Sequence, residues 1–330
     1  MIVLKNLIVN CFRNLNHERE AIQKLNTPVV NTTNLVKSFG KTIALNELNL
    51  QVPKGISGFI GKNGAGKTTT IGVLLGLLKP NRGEATIFGL DCWHDSFEIR
   101  RRVGVMHEVN AYPGSFSGRR FLEHVARIYG ITQVNHCITE VLKDVGLSDA
   151  GDKPVKAYSA GMLRRLGLAQ ALIGNPELAI LDEPTANIDP LGRVALLQKI
   201  KDLNKEHGTS FLISTHILSD LEKICDWLSI IDAGKIVEQG HVQDLAGKYS
   251  ANIYKIDVSD PQLFTETIQR LRIVEKVWIE NGKVYCKVKD LDAFCIEIPK
   301  IAAELKVQLK GFQQVVGTLE EIYTKTSGGN

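Results

Sequence analysis

The chain has 330 residues, 44% of them hydrophobic and 23% charged, a globular balance that excludes a disordered chain. Its length admits two domains and a large buried core. The net charge of +4 is too small to mark a nucleic-acid binder, and the basic runs Arg100 to Arg102, Arg119-Arg120 and Arg164-Arg165 read as solvated helix faces.

Residues 1–27 read as an N-terminal extension, and residues 28–245 as a domain in which strands alternate with helices. Short apolar strands are predicted at 56–60, 178–181, 211–214 and 227–231, each ending near polar or glycine-rich turns. Helical patterns separate several of them, which implies an α/β fold with a mainly parallel sheet and helices on its faces. A helix is predicted over 68–78. Residues 91–161 are rich in helical periodicity and poor in strands, which suggests a helical subdomain inserted into the sheet domain. At the end of that span Ser159 is a good N-cap, and Met162, Leu166, Ala169 and Ile173 recur at the spacing of one buried helix face. With only the small Ala160 and Gly161 after the cap, the first amides of this helix are open to an anion.

Residues 246–330 read as a separate small α+β unit. Strands are predicted at 253–258, 274–280, 283–288 and 307–312, helices at 261–271 and 291–305, and a short last helix from Thr318. Asn281-Gly282 is a strong two-residue hairpin turn. The order βαββαβ is that of a split βαβ, ferredoxin-like unit. Such a unit could sense a ligand, tighten a homodimer or brace the rest of the chain; its alternating pattern shows packing and no site, which favours bracing.

The cysteines Cys11, Cys92, Cys137, Cys225, Cys286 and Cys295 include no Cys-x-x-Cys pair. That fits a reduced, intracellular chain in which they serve as small apolar residues. The histidines show no His-Glu-x-x-His spacing, so a protein-built zinc site has no support. No apolar run reaches the ~18–20 residues that span a bilayer. The apolar residues 2–9 are broken by Lys5 and Asn6 and lack the unbroken core of a signal peptide. Any membrane role is expected to come through a partner.

Gly61-Lys62-Asn63-Gly64-Ala65-Gly66-Lys67-Thr68 satisfies G-x-x-x-x-G-K-[ST], after an apolar strand and before a helical run. Its glycines let backbone amides wrap phosphates, Lys67 reaches the β and γ oxygens as a point charge, and the Thr68 hydroxyl suits Mg²⁺. This is the pattern of a nucleoside triphosphate site. Guanine specificity usually brings Asn-Lys-x-Asp, and the nearest string, Asn204-Lys205-Glu206-His207, lacks the aspartate; ATP is the expected nucleotide. Further on, Asp182 and Glu183 end the apolar strand Leu178-Ala179-Ile180-Leu181. Carboxylates there are costly unless they face a cleft, a metal or a helix terminus. Asp182 suits Mg²⁺, and Glu183 is placed to orient or deprotonate an attacking water.

On these pieces, residues 29–245 resemble the ATP-binding cassette (ABC) ATPases. The resemblance rests on the phosphate loop at 61–69, Ser159-Ala160-Gly161-Met162 as the signature, and Leu181-Asp182-Glu183-Pro184-Thr185. It continues through Ala186-Asn187-Ile188-Asp189 as the D-loop and Ser214-Thr215-His216 as the switch histidine. It implies a P-loop fold of ABC type. Thr69 would complete the phosphate loop, Phe39 would stack on adenine, and His216 would contact the γ-phosphate. Ser159 and Gly161 would hold an ATP bound by another copy, and Asp189 would lie across the subunit interface.

Two departures from the family's common form stand out. The signature reads Tyr-Ser-Ala-Gly-Met where Leu-Ser-Gly-Gly-Gln is usual, and Glu108 stands where glutamine is usual. The acid at 108 resembles the branch of single-cassette ATPases associated with drug and antibiotic export, and implies a metal or switch ligand. The expectation is therefore an ATPase subunit, cytoplasmic and peripheral on the inner face of the membrane. It would use ATP and Mg²⁺ and pair with a second copy or a paralogous cassette. Together they would power separate membrane permease subunits, with export of a drug, antibiotic or lipid-like substrate. The rival is a soluble ABC-type ATPase acting on ribosomes or nucleic acid. Such relatives resemble two fused cassettes or carry a long coiled-coil insertion; this chain has one cassette and no heptad run, so no nucleic-acid partner is expected. Glu183 and His216 weigh against a regulator that binds nucleotide without hydrolysing it.

Overall fold

A computed structural model of the chain describes residues 28–108, 111–249, 253–315 and 323. The extension at 1–27 and, Tyr323 apart, the helix expected from Thr318 lie outside the described residues. The chain divides into two compact units between Gly240 and His241, slightly before the boundary read from the sequence.

The first unit begins with β1 (Val30–Phe39), β2 (Thr42–Leu48), β3 (Gln51–Val52), β4 (Ile56–Ile60) and α1 (Lys67–Leu74). It continues through β5 (Arg82–Ile87), β6 (Leu90–Asp91), α2 (Ser96–Arg102), β7 (Val103–Met106), α3 (Gly118–Ile128), α4 (Val134–Asp144) and α5 (Ala160–Leu172). Then come β8 (Leu178–Asp182), α6 (Pro190–His207), β9 (Ser210–Thr215), α7 (Leu218–Leu221), β10 (Trp227–Asp232) and β11 (Lys235–His241). One sheet has the order β11-β10-β4-β9-β8-β7, and the pairs from β10 to β7 are all parallel. Every residue of β4, β8 and β9 is buried, which is why these strands read as unbroken apolar runs.

Two features depart from the reading by pattern. β1, β2, β3, β5 and β6 form a second sheet of antiparallel pairs, which the sequence did not separate from the first. β7 lies inside the span read as helical and pairs in parallel with β8 from Val103↔Leu178 to Met106↔Leu181. The run of helices is thus α3, α4 and α5, after β7, and does not start at residue 91.

The phosphate-loop helix also ends earlier than predicted, at Leu74. Gly76 takes φ 65, its N–H donates to the Val73 carbonyl, and the Leu77 N–H donates to Gly72 at 2.9 Å. This is a Schellman closure, in which only glycine takes the left-handed position without strain. A side chain there would also meet the Cys92 carbonyl at 2.5 Å.

The second unit runs α8 (Val242–Tyr249), β12 (Ile253–Val258), α9 (Pro261–Ile268), β13 (Val274–Glu280), β14 (Lys283–Val288), α10 (Leu291–Glu304) and β15 (Leu309–Gln314). From β12 onward this is the βαββαβ order, in an antiparallel sheet β13-β14-β12-β15. Asn281 and Gly282 have φ 49 and 72, as a type I′ hairpin requires. Phe264 and Ile268 of α9 and Phe294 and Ile298 of α10 pack with Tyr254, Ile256, Val284 and Cys286 of the sheet. β15 starts later than the predicted 307. Lys306 at φ 56 and the bond from Val307 N–H to the Ala302 carbonyl at 2.9 Å close α10 first, so Val307 belongs to the helix end. α9 stops at Ile268, short of the predicted 271.

Candidate functional site

The site is assembled where parallel strands β4, β8 and β9 end together. After β4 the chain turns through the phosphate loop, with Gly64 at φ 80 and Gly66 at φ 113, conformations that a side chain would strain. Gly66 is the N-cap of α1, so the loop delivers the first amides of that helix into the opening. A cleft of about 370 Å³ is lined by Ala44, Lys62, Asn63, Gly64, Gly66, Lys67, Thr68, Thr69, Glu108, Asp182, Glu183, Ala186 and His216.

Lys67 is buried, and its Nζ donates to the carbonyls of Gly61 at 2.6 Å and Lys62 at 3.3 Å. The Glu183 carboxylate lies 3.8 Å away. Thr68 Oγ1 is 3.5 Å from Asp182 Oδ2, and the Ser214 hydroxyl donates to Asp182 Oδ1. Glu183 accepts from Thr215 Oγ1 at 3.2 Å, and both its oxygens are 3.0 Å from His216 Nδ1. His216 Nδ1 thus points at the Glu183 carboxylate, with Nε2 on the other side of the ring. Both carboxylates are buried, and this hydroxyl, imidazole and ammonium shell offsets their desolvation. Glu183 also has φ 47 and Asn187 φ 62, left-handed backbone that costs a non-glycine residue about 1–3 kcal/mol and clusters at functional sites.

The arrangement suits a polyphosphate beside a water to be activated. Amides and an ammonium lie on one wall, a hydroxyl and a carboxylate lie beneath, and a second carboxylate held by imidazole stands alongside. Among the described residues no three His, Cys, Asp or Glu side chains converge on a metal position. The Thr68 hydroxyl and the Asp182 carboxylate are nevertheless the hard oxygen donors that Mg²⁺ takes when phosphates and water complete its shell.

Of the predicted site residues, the cleft brings together Lys62, Asn63, Gly64, Gly66, Lys67, Thr68, Thr69, Glu108, Asp182, Glu183 and His216. Gly61 and Ala65 belong to the loop without lining the cleft. Phe39 stands at the end of β1, 50% exposed, with Lys37 Nζ 5.1 Å from its ring centre. Ser159, Gly161 and Asp189 are not brought to this cleft. Ser159 caps α5 by accepting from Met162 N–H at 3.2 Å, and Asp189 caps α6 by accepting from Gly192 N–H at 2.9 Å.

Sequence reasoning missed Ala44 and gave no site role of their own to Ala186, Ser214 and Thr215, which it quoted only within motifs, or to Arg164. Ser214 lies opposite Asp182 in the register of β8 and β9, a pairing that appears only once the neighbouring strands are known. Arg164 is not solvated as read: it donates to the carbonyls of Glu108 at 2.7 Å and Ala186 at 3.1 Å.

The sequence profile of the family described as ABC transporter matches residues 45–186, which hold the phosphate loop, the signature helix and both carboxylates. The bacitracin transport ATP-binding protein BcrA of Enterococcus faecalis is 31% identical over 91% of this chain and 97% of its own length. The chain belongs to the ABC transporter family. The BcrA protein of Bacillus licheniformis is 44% identical over 212 residues, 64% of this chain and 69% of that one. Among solved structures, the ATP-binding subunit of an ABC transporter aligns with a TM-score of 0.59 at 26% identity, over 67% of this chain and 93% of the other. The chain is an ATP-binding ATPase of this family. No helix of the described residues is long and apolar enough to cross a membrane.

Proposed function

We propose that this ATPase is the energy-supplying subunit of a transporter whose membrane-spanning subunits are separate polypeptides, and that it powers export of a drug, antibiotic or lipid-like substrate. The observation that carries the reading is the split of the site residues. Phosphate loop, carboxylates and His216 share one cleft, whereas Ser159, Gly161 and Asp189 lie outside it. The second set is then offered to the cleft of another copy, or of a paralogous cassette, so that two ATP molecules are sandwiched between two chains. Phe39, exposed beside the cleft strand, stacks on the adenine.

Lys67 and the loop amides hold the β and γ phosphates. Thr68 and Asp182 would hold Mg²⁺, with Glu108 as a further ligand. The chemistry such an ion would supply is neutralisation of phosphate charge, which would offset the repulsion between the acid at 108 and the γ-phosphate. Glu183 orients and deprotonates the water, and His216 fixes Glu183 while its second nitrogen faces the γ-phosphate. Closure on ATP and opening after product release would drive the membrane partner.

The export reading is supported by Glu108 and by the likeness to bacitracin transport proteins. A docking place is suggested by the exposed Phe97 and Ile128, 72% and 85% accessible, which line an open cleft with Tyr129, Arg100 and Arg101. On this reading the chain sits at the inner face of the membrane through its partner. The test is expression of the tagged chain in its native host, followed by detergent extraction of the membranes and affinity purification. Stoichiometric recovery of an integral membrane protein, with ATPase activity altered by it, is expected. A chain that stays free of membranes and co-sediments with ribosomes or RNA would overturn the reading.

A further inference from the structure

Arg164 lies in the second turn of α5, the helix that Ser159 caps. Its Nη1 donates to the carbonyl of Glu108 at 2.7 Å, and its Nε donates to the carbonyl of Ala186 at 3.1 Å. These acceptors belong to separate loops, one after β7 and one after β8. Glu108 and Ala186 both line the nucleotide cleft, and Arg164 itself does not. A guanidinium is planar, and its donors form a rigid fork, so two carbonyls bonded to it hold a fixed spacing; a lysine would supply only a point charge. The adjacent Arg165 bonds instead to the Gly146 carbonyl at 3.1 Å, beyond the end of α4.

The Ala186 end of the fork closes a turn that already has left-handed backbone at Glu183 and Asn187. Ala186 N–H also donates to the Glu183 carbonyl at 3.2 Å. A displacement of Ala186 is therefore felt at the Glu183 backbone. Tyr112 adds a parallel tie, its hydroxyl donating to the Leu163 carbonyl at 3.4 Å, so the segment after Glu108 is fastened to α5 at a second point. By contrast, among the described residues Lys67 and Thr68 bond to the phosphate loop and to Asp182, and to no residue of α5.

We propose that Arg164 is a positioning residue that couples the start of α5 to Glu108 and to the Glu183–Asn187 turn, so that hydrolysis in a chain's own cleft depends on what its Ser159 engages. The inference rests on the sandwich reading above, in which Ser159 and Gly161 contact the nucleotide of another copy. Arg164 touches no reacting atom. When α5 moves as a body toward a phosphate at its start, the fork carries both carbonyls with it. Without the fork, the cleft still binds nucleotide but no longer registers the partner.

The test uses the full chain with Arg164→Gln and Arg164→Lys, each first checked for an unchanged unfolding temperature. Affinity for a fluorescent ATP analogue is expected to stay within about twofold, kcat to fall about tenfold or more, and the Hill coefficient to drop toward one. In a Glu183→Gln background, Arg164→Gln should raise the ATP concentration needed for dimerisation, measured by light scattering. Parental kcat and Hill coefficient in both variants would overturn the proposal. So would turnover and nucleotide affinity that fall together with thermal stability, since that is the signature of a structural role alone. If Glu183→Gln by itself stays monomeric with ATP, the sandwich reading fails and the coupling loses its input. If it dimerises identically with and without Arg164, only the coupling fails.

Discussion

Replacing Glu183 by glutamine keeps the side chain's volume and removes its negative charge, so it tests the hydrolytic step apart from the binding of nucleotide. In the fold the carboxylate accepts from Thr215 at 3.2 Å and faces His216 at 3.0 Å, with Lys67 at 3.8 Å. A glutamine still accepts one of these bonds. Lys67 keeps its 2.6 Å bond to the Gly61 carbonyl, so no ammonium is left without a partner. Stability should therefore change by about 1 kcal/mol or less, a shift of roughly 2–4 °C for a domain of this size. Turnover is another matter, because an amide cannot take the proton from water. A positioned base contributes about 10²–10⁴-fold, which corresponds to roughly 2.7–5.4 kcal/mol of barrier. Phosphate release under saturating ATP gives kcat, and titration with a fluorescent analogue gives affinity. The expected result is retained affinity, at least about 10²-fold lower kcat, and a dimer with ATP on gel filtration. Turnover within about threefold of the parent, or a loss of affinity matching the loss of turnover, would refute the assignment of Glu183 as the base.

Lys67→Ala should weaken binding of the fluorescent ATP analogue about tenfold or more, about 1.4 kcal/mol; an unchanged titration would remove Lys67 from the phosphate site. Thr68→Ala removes the hydroxyl that faces Asp182, and should shift the Mg²⁺ dependence of turnover to higher concentration while leaving affinity for metal-free nucleotide nearly intact. Gly76→Ala places a Cβ 2.4 Å from the Cβ of Ser96 at a backbone φ of +65, and should lower stability by more than the ~1 kcal/mol of a left-handed backbone alone, read as the urea midpoint. Burial pushes the thiols of Cys92 and Cys286 up to about 12, and that of Cys225 higher still. In mass-spectrometric footprinting at pH 8 these three should stay protected in the folded chain while the exposed Cys295 is labelled, and rapid labelling of Cys225 would contradict its burial.

The sequence by itself determined what depends on a few neighbouring residues. The phosphate loop is legible because glycines with positive φ, a lysine and a hydroxyl must follow one another to wrap a phosphate, and all lie within eight positions. The Asn281-Gly282 turn is legible for the same reason, since its two left-handed residues are adjacent. The order of elements from β12 to β15 was legible too, because each carries its own period and turn residues, whereas the helix α8 before them was not read.

Only the tertiary structure decided which separate segments meet. The strand β7 is four residues long and looks like part of a helical stretch until its parallel pairing with β8 is seen. Ser214 comes opposite Asp182, and Thr215 and His216 come to Glu183, because β9 lies next to β8 in the sheet. Arg164 read as one more solvated charge, because nothing within its own helix accepts its protons. Its acceptors are main-chain carbonyls 56 and 22 residues away. A carbonyl leaves no trace in the identity of its residue, so a bond to one becomes visible only when the chain has folded and brought it there.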